Sequence, residues 1–272
     1  MSGKLYLVGT PIGNLGDLSP RAAEILRTVD FIAAEDTRVT VKLLNHLGIK
    51  KSMLSYYEHN KKERGGEIIS RLLAGESCAL VTDAGMPAIS DPGEDMVRLA
   101  YENSIKIESV PGPSAVITAL AISGMPSGRF TFEGFLTMNK PGRRAHLAEL
   151  KDEKRTMIFY EAPHKLLATL KDMLTYFSDR KIALVRELTK IHEEVIHSTI
   201  SEAIEKYTLT PPKGEFVLIV SGKSEEAKTY TLEEATVLAK EFCEKGDSAS
   251  LAAKKAAEIT GVKKGDIYRG LC

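Results

Sequence analysis

Three glycine- and proline-rich turns, each closing a short apolar run, carry the residues best placed to do chemistry. They lie in LYLVGTPIGNLGD (Leu5 to Asp17), ALVTDAGMPAISDPG (Ala79 to Gly93) and IESVPGPSA (Ile107 to Ala115). Glycine lets backbone approach a ligand closely, so these turns could hold a small polar cofactor on main-chain groups. Gly9, Gly13 and Gly16 are spaced GxxxGxxG. That is not the dinucleotide GxGxxG, and no Lys-Ser/Thr follows to make a P-loop; a tight turn explains the spacing equally well. The second turn places Asp83 and Asp91 in a segment stiffened by Pro87 and Pro92. Asp91 reads as a cap for the following helix, and Asp83 as a ligand contact. In the third turn Ser114 either caps the next helix or leaves its first-turn N–H groups facing a ligand. Ala115 leaves room for a planar group.

The elements that must position these turns follow from the patterning. Apolar runs at 5–10, 31–34, 78–82 and 105–110 read as strands, and 19–28, 39–47, 64–74, 93–102 and 114–122 as helices. Alternation of this kind predicts a parallel sheet with crossover helices, which gathers ligand-binding loops at the carboxyl ends of its strands. The pattern restarts at Gly124-Met125-Pro126. Strands are expected at 130–135, 156–160, 181–186, 194–198 and 216–221, and helices at 143–152, 163–177 and 201–206. With fewer long crossovers, this half reads as a mixed sheet. Residues 222–229 read as a linker, and 231–245, 248–259 and 263–270 as three short helices in a helix-turn-helix-like pattern. The chain is thus α/β, with an N-terminal α/β domain (1–122), a second mixed-sheet α/β domain (123–225) and a C-terminal helical module (226–272).

At 272 residues, 43% apolar and 27% charged, the chain is an ordinary globular protein with room for two cores. The three cysteines have no metal or disulfide spacing, so a reducing cytoplasm is expected and no metal. No apolar stretch approaches the ~20 residues that span a bilayer. Net charge is zero, which does not announce a nucleic-acid binder. Lys140, Arg143, Arg144, Lys151, Lys154 and Arg155 form a local basic cluster that reads as a solvated face unless a phosphate-bearing partner exists.

Eight stretches, in order, resemble the tetrapyrrole (corrin/porphyrin) methylase superfamily: GTPIGNLGDLSPRA, AEDTR (34–38), LVTDAGMPAISDPG, VPGPSAV, FEGFL (132–136), FYEAPHK (159–165), RELTKIHEE (186–194) and KGEFVLIV (213–220). Within it, they are most similar to the bacterial 16S ribosomal RNA (cytidine-2'-O)-methyltransferases. The resemblance implies two α/β domains with S-adenosylmethionine in the cleft between them, a homodimer, no metal in the transfer site, and 16S ribosomal RNA of the small subunit as partner. Carried onto this chain, the cofactor contacts are Val8, Gly9, Thr10, Pro11, Asp83, Gly85, Met86, Ser114 and Ala115 from the first half, and Phe159, Tyr160, Leu188, Gly214, Glu215 and Phe216 from the second.

Methyl transfer to a ribose hydroxyl gains from alignment of nucleophile, methyl and sulfur and from a positioned base. The base candidates are Glu35, Asp36, Glu161, His164 and Glu187, with Glu193 and Glu194 beside them. Glu161 and Glu187, each after an expected strand, are placed nearest the acceptor. Arg38, Arg143, Arg144, Arg186 and Lys190 are the candidates for RNA phosphates. Each acid could equally cap a helix or join a surface ion pair. Two other readings stay open: a tetrapyrrole-precursor methyltransferase with the same cofactor pocket, and a regulatory RNA-binding protein that retains it.

Overall fold

The computed structural model describes residues 2–224 and 230–271. Residues 225–229 of the expected linker, the domain boundary at 225, and Cys272 lie outside the described residues. The chain divides into two compact units, Met1–Lys223 and Ser224–Cys272.

The first unit contains two five-stranded sheets. The N-terminal sheet has the order β3-β2-β4-β1-β5 and is parallel throughout: β1 (Lys4–Val8), β2 (Phe31–Ala34), β3 (Ser52–Ser55), β4 (Cys78–Val81) and β5 (Lys106–Val110). Strands β2 and β4 are buried at every residue, as a parallel strand covered on both faces must be. Helices α1 (Pro20–Thr28) and α2 (Thr37–His46) cover one face, with Leu26, Leu43 and Leu44 on Val8, Ile32 and Val81. Helices α3 (Lys61–Leu73) and α4 (Gly93–Glu102) cover the other, with Ile68, Leu72 and Met96 on Leu5, Phe31 and Leu80. Ser19 caps α1 and precedes Pro20 in its first turn, and Asp36 caps α2, the polar starts that let each helix leave its strand abruptly. Strand β3 has no counterpart in the sequence reading. Its residues, Ser-Met-Leu-Ser, pair only with β2 at the sheet edge, so they carry no apolar run.

The second sheet is mixed, as expected, with the order β6-β7-β10-β8-β9: β6 (Phe130–Phe135), β7 (Thr156–Glu161), β8 (Lys181–Arg186), β9 (Glu194–Thr199) and β10 (Phe216–Val220). Only the β6–β7 pair is parallel. Helices α6 (Lys140–Glu149), α7 (Pro163–Phe177) and α8 (Ile200–Leu209) cover one face through Leu147, Leu166, Leu170 and Ile200. The other face is covered by α5 (Ala115–Ile122), whose Val116, Ala119 and Leu120 pack on Ile158, Val185, Val217 and Ile219. The helix that ends the N-terminal half therefore docks on the second sheet. The loop feeding α5, at the carboxyl end of β5, is thereby fixed between the two sheets.

The second unit holds α9 (Leu232–Glu244), α10 (Ala249–Thr260) and α11 (Lys264–Leu271). Small residues, Ala235, Ala239, Ala253 and Ala256, let these helices approach closely around Ile267. Thr231 and Glu234 form a capping box at the start of α9. No helix among the described residues is long and apolar enough to cross a membrane.

Candidate functional site

The three turns are laced together at the carboxyl edge of the first sheet. Thr10 N–H donates to Gly85 O at 2.9 Å, Gly85 N–H donates to Thr10 O at 3.1 Å, and the buried Thr10 hydroxyl donates to Thr82 O at 3.1 Å. Gly9 and Gly112 meet backbone to backbone: a Cβ on Gly9 would lie 2.7 Å from both Gly112 Cα and Met86 Sδ. Main chain rather than side chain therefore forms this floor, as the glycine pattern predicts. Ala88 and Ser90 have φ of +69° and +63°, a conformation that costs each of order 1–3 kcal/mol. Asp91 holds that strained turn by accepting N–H bonds from Ala88, Ile89 and Gly93 at 2.7–3.1 Å. Its role is structural, as the sequence suggests, though it ties the loop rather than capping α4 alone.

Three carboxylates gather beside this floor. Asp83 Oδ1 accepts the Asp36 N–H at 3.1 Å, and Glu35 Oε2 accepts the Thr82 hydroxyl at 2.5 Å. Burial and then the Glu35 charge push the Asp83 carboxyl above its ordinary value. Hydrogen bonds from Arg38 hold Asp36 at about 2. Asp36 thus serves its helix and its arginine, while the Arg38 side chain, 88% exposed, projects into solvent.

The second sheet supplies the opposite wall. Tyr160 lies on the α5 face of β7, where burial raises its phenol and the Val116 backbone N–H pulls the other way. Its ring thereby reaches the start of α5, beside Ser114 and Ala115. Ser114 is the N-cap but makes no side-chain capping bond, so its hydroxyl is not spent on the helix. Leu188 packs in one apolar cluster with Ile12 of the first turn. A Cβ on Gly13 would lie 2.6 Å from Lys190 Cγ and 2.8 Å from Thr189 Oγ1. The two loops enclose an open cleft of ≈ 620 Å³ lined by Gly13, Asn14, Leu15 and residues 189–192. Thr189 Oγ1 is buried there without a hydrogen-bond partner.

Glu187 anchors this wall. It has φ +52° and Thr189 has φ +65°. Its Oε1 accepts the Glu215 N–H at 2.9 Å and Lys190 Nζ at 3.0 Å. The Glu215 N–H, with help from Lys190, holds the carboxyl below its ordinary value. Gly214 (φ +83°) leaves the space that this side chain fills. Lys190 also pairs with Glu215 at 2.8 Å, Arg186 with Glu194 at 3.1 Å, and Glu193 accepts the Thr189 N–H at 2.6 Å.

Several residues fall elsewhere. Phe159 and Phe216 point to the helix-covered face of the second sheet and pack in its core, away from Tyr160. Glu161 shares that orientation along β7: it is 4% exposed, and its carboxylate accepts the Thr169 hydroxyl at 2.5 Å and the Ala162 N–H at 2.9 Å. Strand alternation turns each neighbour of Tyr160 inward, so Glu161 is not beside the cleft. His164 is exposed in the first turn of α7. Arg143 is buried, bonded to Asp172 at 2.6 and 2.8 Å, and is not offered to a phosphate; Arg144, bonded to the same carboxylate at 3.1 Å, is half-exposed. Val8 is wholly buried in the first core and can present only backbone. The sequence reading passed over Gly112 as a contact, although its place between two prolines signals a close approach.

This chemistry has known parallels. Residues 4–204 match the sequence model of the Tetrapyrrole (Corrin/Porphyrin) Methylases, an S-adenosylmethionine-dependent methyltransferase family. The fold recurs in "Crystal structure of diphthine synthase" (TM-score 0.63, 14% identity, 82% of this chain and 91% of that one). It recurs also in a uroporphyrin-III C-methyl transferase from Thermus thermophilus complexed with S-adenyl homocysteine (TM-score 0.55, 17% identity, 81% and 98%). Among full-length relatives, a Xylella fastidiosa (strain Temecula1) protein is 48% identical over 98% of both chains, and a Synechocystis protein 45% identical over 98% of this chain and 96% of its own. Both are named ribosomal RNA small subunit methyltransferase I. The chain belongs to the tetrapyrrole methylase family, in the branch those relatives define.

Proposed function

We propose that this protein transfers the methyl group of S-adenosylmethionine to the 2'-hydroxyl of a cytidine ribose in the decoding region of 16S ribosomal RNA. The observation that carries the reading is the 45–48% identity, over 98% of the chain, to proteins named for methylating small-subunit ribosomal RNA. The residues present fit the cofactor. The Gly9–Gly112 floor would be filled by any Cβ, and the free Ser114 hydroxyl and first-turn N–H groups of α5 suit the polar ends of an amino-acid nucleoside.

When bound, the cofactor supplies an electrophilic methyl group on a sulfonium. The chain's part is to hold the acceptor in line with it and to take the hydroxyl proton. Glu161 faces the wrong core. Glu187 is committed to Glu215 and Lys190, and its lowered pKa makes it a weaker base. Asp83, raised by burial and by Glu35, takes the proton at Oδ2, the oxygen that Asp36 N–H does not engage. Arg38 and Arg144 meet backbone phosphates. The same reading takes the enzyme to be a cytoplasmic homodimer, which sedimentation velocity checks.

The test offers labelled S-adenosylmethionine with unmodified 30S subunits, free 16S RNA, or uroporphyrinogen. Label in RNA that blocks alkaline cleavage after one cytidine is the expected result. Label only in the tetrapyrrole would overturn the reading.

A further inference from the structure

The FEGFL stretch carries, one residue before its end, an aromatic residue that the cofactor cleft does not use. Phe135, the last residue of β6, is 58% exposed, and a backbone irregularity aims it. The β6–β7 register shifts between Phe132 and Gly134, so Phe132 lies opposite Ile158 while Phe135 lies opposite Tyr160. Gly134, at φ +64°, absorbs the bulge. A bulge re-aims the side chains that follow it. Here it returns Phe135 to the face of Phe132 and Tyr160, where regular alternation would have turned it toward the helices. The three rings form a ladder: Tyr160 is 5.0 Å from Phe132 and 5.2 Å from Phe135, centroid to centroid. The inner end is packed and the outer end meets solvent.

The surroundings point to what that outer face takes. A Cβ on Gly134 would lie 3.2 Å from Ser90 Oγ, so the strained 88–90 turn abuts the bulge and sets Ile89, 54% exposed, in the same neighbourhood. Met138, also exposed, and the exposed Lys140 that opens α6 follow within five residues of Phe135. A flat ring held by its neighbours, next to aliphatic surface and a cation, is the arrangement by which proteins hold an unpaired base. Single-stranded RNA is recognised by stacking splayed bases on aromatic side chains.

We infer that Phe135 is a stacking platform for a nucleobase of the RNA substrate, on the solvent side of Tyr160. This rests on the RNA reading above and adds a residue that binds the acceptor strand. Because Tyr160 links the ladder to the start of α5, the platform fixes the base relative to the transfer site while staying outside the cofactor's own contacts.

The experiment compares the wild type with Phe135→Ala, Phe135→Leu and Phe135→Tyr. Binding of a fluorescent single-stranded oligocytidylate is read by anisotropy, S-adenosylmethionine affinity by calorimetry, and kcat and KM on unmodified 30S subunits by label transfer. Phe135→Ala should weaken oligonucleotide binding by about 5- to 100-fold, with an unchanged salt slope because no phosphate contact is lost. Phe135→Leu should fall with it, and Phe135→Tyr should recover. Cofactor affinity and melting temperature should not move. Wild-type affinity in Phe135→Ala or full recovery by Phe135→Leu would overturn the inference, as would a loss confined to cofactor binding. The binding arm decides the matter even where label transfer to 30S RNA, the arm that tests the proposed function, gives nothing.

Discussion

Replacing Gly214 by alanine probes how the second-sheet wall of the cleft is held. At φ +83° an alanine costs about 1–2 kcal/mol from backbone sterics alone. Its Cβ would also stand 2.5 Å from Glu187 Cγ and 2.6 Å from Oε1. The Glu187 side chain can move aside only by leaving the Glu215 N–H and Lys190 Nζ, at 2.9 and 3.0 Å. A hydrogen bond to a charged group is worth about 1.5–3 kcal/mol, and the lower end suits a site that is partly open. Together the two effects predict a loss of about 3 kcal/mol for Gly214→Ala. In a Glu187→Ala background the clash disappears, so only the backbone cost of about 1–2 kcal/mol remains and the coupling is about 1.5 kcal/mol. Urea unfolding of the four proteins measures this, followed by circular dichroism because the chain has no tryptophan. A Gly214→Ala cost below about 0.5 kcal/mol, or equal costs in both backgrounds, would refute the claim that Gly214 exists to seat Glu187.

Gly9→Ala should abolish measurable S-adenosylmethionine binding in calorimetry and lower the melting temperature, since its Cβ meets the Gly112 backbone at 2.7 Å and backbone cannot step aside. Arg143→Ala should cost about 1–3 kcal/mol by leaving Asp172 Oδ2 buried without its partner while Arg144 still holds Oδ1, while Arg38→Ala should leave stability within about 0.5 kcal/mol and reduce the salt slope of RNA binding by about 1; the reverse pattern in melts and salt titrations would reject the assignment. Glu161→Gln should keep the wild-type pH profile of methyl transfer, and an altered profile would return Glu161 to the reaction. The Glu187 carboxyl lies below its ordinary 4.5 when folded, so its stabilising contribution is complete above that value and fades as pH falls through the lower folded one. Acid melts should show that loss in the wild type and not in Glu187→Gln.

The elements that build the floor were legible because each couples an apolar run to a glycine or proline turn. Val8 to Gly13, Val81 to Met86 and Val110 to Ser114 all fall where the pattern places them. Facing was less legible. Phe159, Tyr160 and Glu161 are adjacent in one motif, and which of them meets the cleft depends on the register of β7 with β10 and on α5 crossing to the second sheet. Neither is a local property. Arg143 and Arg144 are indistinguishable in sequence, yet Asp172, on a helix twenty-nine positions away, buries one of them. Strand β3 failed for the opposite reason: it is bonded on one side only and needs no apolar signature to be stable.

The acids of this chain divide by what they accept, and the division explains why the sequence offered too many bases. Six non-glycine residues among those described have positive φ: Ala88, Ser90, Ser104, Ser178, Glu187 and Thr189. Ser104 follows the end of α4, where a positive φ is ordinary, and Ser178 ends α7 at φ +59° and ψ −163°, a rarer conformation far from the site. The other four lie in two loops on opposite walls of the site, and strain of that kind persists only where surrounding bonds over-determine it. Here the bonds are carboxylates accepting backbone N–H groups: Asp91 in the first loop, Glu187 and Glu193 in the second. Protonating one of these acids weakens its hold on a strained loop. Glu161, turned to Thr169, and Asp36, turned to Arg38, are committed as well. Glu35 and Asp83 remain at the end of the first sheet, and Asp83, its carboxyl raised by burial and by the Glu35 charge, keeps Oδ2 off the Asp36 N–H. Removing a loop-holding acid should therefore lower stability and raise KM together. Removing Asp83 should lower kcat while the fold stands.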